Sequence, residues 1–161
     1  KSNNGLRSAK FRFGGAMDSF GTLEGRQDYT IHGQLYARLF FHIDGDHSDV
    51  CLSKDLELAT AVMHEKGIIC LDDMLHPGYP TLVMTVLRYL EAHREMRVFC
   101  VVDREDIVAA PKFMICRREH AEVYEQELMR AYPQFHFPMG ADFVEDWCVV
   151  LTPKPRLAIV D

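Results

Sequence analysis

Two acidic clusters hold the side chains best suited to chemistry: Asp44-Gly45-Asp46-His47 and, separated from Asp46 by 25 residues, Asp72-Asp73. Carboxylates gathered at one place repel each other unless protons or a cation neutralise them, and hard oxygen donors favour magnesium or calcium over zinc. His47 lies three residues after Asp44, and its near-neutral intrinsic pKa suits a general base taking a proton from a substrate hydroxyl. A neighbouring divalent ion would help acidify that hydroxyl. The plainer alternative is that Asp44 and Asp72 cap the helices that follow them while Asp46 and Asp73 face solvent, since Asp is a common loop residue.

The surrounding pattern places both clusters at the ends of strands. Leu35 to Ile43 is nearly continuous apolar sequence, as expected of a strand buried on both faces, and it stops at Asp44. From Leu52 to Lys66, the residues Leu52, Leu56, Ala59, Val62 and Met63 recur at helical spacing, with Lys66-Gly67 as the stop. Gly67 to Leu71 is a second strand, and it too ends on acid. After the loop His76-Pro77-Gly78-Tyr79-Pro80, a second helix runs through Leu82, Val83, Val86, Leu87 and Leu90 to about Arg94, with Pro80 in its first turn. Strands are expected at Val98–Val102, Lys112–Cys116, Trp147–Leu151 and Leu157–Val160, and a helix at Glu119–Ala131. Two strands joined through a helix run parallel if they share a sheet, so Asp44 and Asp72 should meet at one sheet edge, where α/β folds bind ligands.

Composition bounds the function. The 161 residues are 48% hydrophobic and 26% charged, sufficient for one domain with a core. A net charge of -6 argues against a nucleic-acid groove or a membrane surface as partner. The five cysteines include no C-x-x-C pair and sit mostly in apolar runs, which reads as buried thiols in a reducing, cytoplasmic setting. No apolar stretch reaches the roughly 18 residues of a membrane helix. Gly15-Ala16-Met17-Asp18 resembles the junction between an expression tag and a native start, so residues 1–17 are expected to be tag-derived or disordered, with one domain over 18–161.

The succession Phe40-His-Ile-Asp-Gly-Asp-His-Ser48, Lys54-Asp-Leu-Glu-Leu58, Lys66-Gly-Ile-Ile-Cys-Leu-Asp-Asp73 and His76-Pro-Gly-Tyr-Pro80 resembles class I S-adenosylmethionine-dependent methyltransferases. The branch is that of metal-dependent small-molecule O-methyltransferases, and the likeness spans about Phe40 to Tyr124. Ala110 to Arg118 resembles the family's later N-K-L-x-L-C-R segment, with Pro111 where Asn is usual. The resemblance implies an α/β, Rossmann-like, three-layer αβα sheet of which strands four to seven are present and the N-terminal half is truncated or incomplete. It also implies S-adenosyl-L-methionine as cofactor and Mg2+ or another divalent cation on Asp44, Asp72 and Asp73. His47 becomes the catalytic base, and a hydroxylated small molecule is accepted near His76 and Tyr79. Asp46 has no role in that scheme. Homo-oligomerisation is left open.

Cofactor-binding residues stay unassigned. Only 39 residues precede Phe40, whereas three βα units of about 30 residues each would be expected. The Gly14-Gly15 to Gly21 cluster follows no apolar strand. Two further readings follow. One is a non-catalytic binding or assembly module derived from a methyltransferase. The other is a haloacid-dehalogenase-like phosphohydrolase, which the short interval between Asp46 and Asp72 disfavours.

Overall fold

The computed structural model describes residues 30–31, 34–35, 38–104 and 110–153. The expected tag junction, the glycine cluster and the strand at Leu157–Val160 lie outside the described residues. Two short strands, β1 (Thr30–Ile31) and β2 (Gln34–Leu35), pair with each other. The rest of the described chain runs β3 (Arg38–Ile43), α1 (Asp49–Val62), β4 (Met63–Leu71), α2 (Leu82–Ala92), β5 (Met96–Val102), β6 (Lys112–Arg117), α3 (Arg118–Ala131), β7 (His136–Phe143) and β8 (Asp146–Leu151). These strands form an open six-stranded mixed sheet in the order β3-β4-β6-β5-β8-β7. The class is α/β, consistent with a Rossmann-like architecture.

Sheet direction decides where the acids go. β3 and β4 are parallel across α1, β6 is antiparallel to both β4 and β5, and β5 is parallel to β8. The C-terminal ends of β3, β4, β5 and β8 therefore share one edge with the N-terminal end of β6.

Alternation along the strands splits the core into two layers. Ile69 and Leu71 of β4 and Phe113 and Ile115 of β6 pack with Leu52, Leu56 and Ala59 of α1 and Leu82, Val86 and Leu90 of α2. The opposite face puts Cys100, Cys116 and Val149 against Ala121 and Leu128 of α3. The cysteines are free, and all but Cys51 are buried, as their apolar context suggested. No helix among the described residues is long and apolar enough to cross a membrane.

Three boundaries depart from the sequence pattern. Leu35 belongs to β2, so the long apolar run is divided between two sheets. α1 stops at Val62 instead of Lys66, because Met63 already pairs with Arg38 in the ladder. The next pair is Phe40 with Ile68, so His64 to Gly67 bulge out between them. Gly67 is needed there for space rather than as a helix stop: a Cβ would stand 2.1 Å from Met63 Cγ. The third departure is β7, which has no counterpart in the sequence reading.

Candidate active edge

The end of β3 delivers Asp44, Asp46 and His47, and the end of β4 delivers Asp72 and Asp73. The amide of Asp72 donates to the carbonyl of Ile43 at 3.0 Å, which ties the two strand ends together. Helix capping does not account for the acids. Ser48 is the N-cap of α1, its hydroxyl accepting from the Cys51 amide at 3.4 Å, and Thr81 occupies the N-cap position of α2. Asp44, Asp46, His47, Asp55, Asp72 and Asp73 line a single cleft with the apolar side chains Leu52, Met74 and Leu82.

Within that cleft the expected residues divide into two groups. Asp44, His47 and Asp73 each bring one ligand atom to within 4.8 Å of the others. His47 Nε2 is hydrogen-bonded to Asp73 Oδ2, and the His47 ring stacks on Tyr79 with centroids 4.0 Å apart and planes 7° from parallel. Tyr79 in turn stacks against His76 at 4.9 Å, and the Gly78 amide donates to His76 Nδ1 at 3.0 Å. The loop reaches this shape through Asp73 and Leu75, both at positive φ, a region costly for residues with a Cβ.

Asp72 belongs to the other group. Its Oδ1 accepts from Lys112 Nζ, and its Oδ2 lies 3.3 Å from His42 Nε2. Burial works against its ionisation, but the Lys112 ammonium, the Asp73 amide and the His42 ring outweigh this and hold the carboxyl below its usual range. The all-carboxylate set Asp44, Asp72 and Asp73 thus fits magnesium poorly, since one member is already neutralised by an ammonium and an imidazole has taken its place among the converging donors. Asp46 is exposed and remains without an assigned role.

Three members of the site were not singled out from sequence: Lys112, His42 and Asp55. Lys112 and His42 were visible only through strand register. Antiparallel pairing of Leu71 with Phe113 sets the next residues, Asp72 and Lys112, beside each other. Asp55 projects from α1 into the cleft, where burial pushes its carboxyl up to about 6. Its signal was a charged residue one position before the buried Leu56 of the helix.

Comparison with family models, curated proteins and solved structures finds no match for this chain.

Proposed function

We propose that this chain carries out S-adenosylmethionine-dependent methyl transfer to a hydroxyl of a small molecule, with His47 as general base. The carrying observation is the His47–Asp73 pair, stacked on Tyr79, at the shared edge of β3 and β4. A carboxylate that accepts from Nε2–H fixes the imidazole tautomer and leaves Nδ1 as the proton acceptor. Stacking on Tyr79 holds the ring plane, so the lone pair keeps one direction. The acceptor hydroxyl would give its proton to Nδ1, which readies its oxygen to take a methyl group. The cofactor, when bound, would supply that methyl from a positively charged sulfur, which leaves as a neutral thioether. Asp73 then stabilises the imidazolium. His76 and Tyr79 flank the base and are the residues proposed to touch the acceptor.

Among the described residues no strand runs into a glycine-rich turn of the kind that lets a cofactor approach the backbone. That observation favours a second reading, a binding or assembly module that keeps the acidic edge without catalysis. Calorimetric titration with S-adenosylmethionine and with its demethylated product, each with and without magnesium, separates the two. Micromolar binding is expected if transfer is the function, and no heat under any condition would leave the module. If binding is found, His47→Gln should reduce methyl transfer by about 100-fold or more, the order of magnitude expected of a general base. Full activity in that variant would remove His47 from the role.

A further inference from the structure

The carboxylate that the methyltransferase resemblance would give to a metal is already paired, and the imidazole that it would leave free stands among the remaining donors. Lys112 is fixed on Asp72 by the β4–β6 register, with His42 on the other carboxylate oxygen. A cation entering the cleft would have to displace an ammonium to reach Asp72. Asp44, by contrast, is exposed and has no cationic partner among the described residues. Asp73 lies near it, and the His47 ring stacks on Tyr79 with its Nε2 on Asp73 Oδ2.

The donor atoms lie within 4.8 Å of one another, and small side-chain rotations bring such a set to the roughly 2.0–2.2 Å bonds of a first-row ion. Donor type sets the ion class. Magnesium and calcium take oxygen ligands, whereas one imidazole nitrogen with two carboxylate oxygens suits zinc, cobalt or manganese.

We infer that Asp44, His47 and Asp73 form a binding site for a first-row transition ion, with His47 as a ligand and Asp72 left to Lys112. The regulatory consequence rests on the proposed function: an ion on the ring nitrogen occupies an electron pair and leaves the other nitrogen protonated. The loaded imidazole cannot act as a base, so the ion inhibits transfer.

The test reads binding alone, without cofactor or acceptor, so it stands or falls separately from methyl transfer. The full chain is titrated with Co2+, followed by its visible d–d absorption, and with Mn2+, followed by loss of the free-ion electron paramagnetic resonance signal. One ion per chain is expected. His47→Gln, Asp44→Asn and Asp73→Asn should each weaken binding by about tenfold or more, while Asp72→Asn changes it little. Magnesium in large excess should not displace cobalt. Asp44 is exposed, so Asp44→Asn keeps the test readable if His47→Gln fails to fold. The inference is overturned if the unaltered chain binds neither ion, if Asp44→Asn or a folded His47→Gln binds as tightly as the unaltered chain, if Asp72→Asn weakens binding as much as Asp73→Asn, or if magnesium competes on equal terms.

Discussion

Asp55 makes the sharpest residue-level argument. Its carboxyl is raised from 3.8 to about 6 by burial, and no cation among the described residues compensates it. A group whose folded pKa exceeds its unfolded value binds its proton more tightly when folded, so folding is favoured below about 3.8 and loses stability as pH rises towards about 6. Asp55→Asn removes that loss. The variant should unfold at higher urea than the unaltered chain at pH 8 and at nearly the same urea at pH 3.5; equal midpoints at pH 8 would show that Asp55 is ionised at no cost. An acid that costs stability and faces a cleft is a candidate for function, and here the cleft also contains His47. Such a residue is hard to find from sequence, because in the pattern of α1 it is one polar position among several. The meeting of Asp44, His47 and Asp73 was legible because each lies within four residues of the end of an apolar run whose type and direction the sequence specifies. The partner of Asp72 was not, since Lys112 lies 40 residues away and only strand register joins them.

At the scale of elements, strongly patterned segments were readable and ambiguous ones were not. α2 runs from Leu82 to Ala92, with Pro80 before the Thr81 N-cap position rather than in the first turn, and its apolar positions hold one face from Leu82 to Leu90 as the pattern has it. The end of α1 was misplaced because Val62 and Met63 extend the helical spacing, yet the ladder with β3 captures Met63 first. β7 was missed because Pro138, Met139 and Gly140 break its alternation, and pairing with β8 resumes only at Ala141. Gly140 takes φ 60° under the Trp147 ring, where a Cβ would come within 2.3 Å of the indole. On the opposite side of the sheet from α1 and α2, Arg97 of β5 donates to Glu125 of α3 and, at 3.3 Å, to Asp146 at the start of β8. Glu125 is only 6% exposed, so removing its cation strands a charge that water cannot reach. Arg97→Met should therefore cost about 3 kcal/mol in urea unfolding. Arg97→Met with Glu125→Leu should recover much of that loss; no recovery would mean that Arg97 acts through its packing rather than its charge.

For the whole molecule, the position of the site in the sheet sets its dynamics. β6 has an antiparallel partner on each side and contributes to both apolar layers, through Phe113 and Ile115 on one face and Cys116 on the other. β3 has a partner only on the β4 side among the described residues, and β7 occupies the opposite edge. Amide exchange should follow this order: amides of β4, β5 and β6 exchange only through global unfolding, while those of β3 and β7 exchange through smaller openings. Opening β3 has a functional consequence that opening β7 lacks. Asp44 and His47 travel with β3, whereas Asp73 and Tyr79 stay with β4 and its loop, so release of β3 separates His47 from the carboxylate that orients it. Anything that bridges the two strands, such as an ion on Asp44, His47 and Asp73, should slow exchange at Phe41 and Ile43 without changing it at Phe137. Hydrogen-exchange mass spectrometry with and without Co2+ measures both segments at once. Equal slowing of β3 and β7 would mean that the ion stabilises the fold as a whole, and no slowing of β3 would mean that the ion does not join the strands.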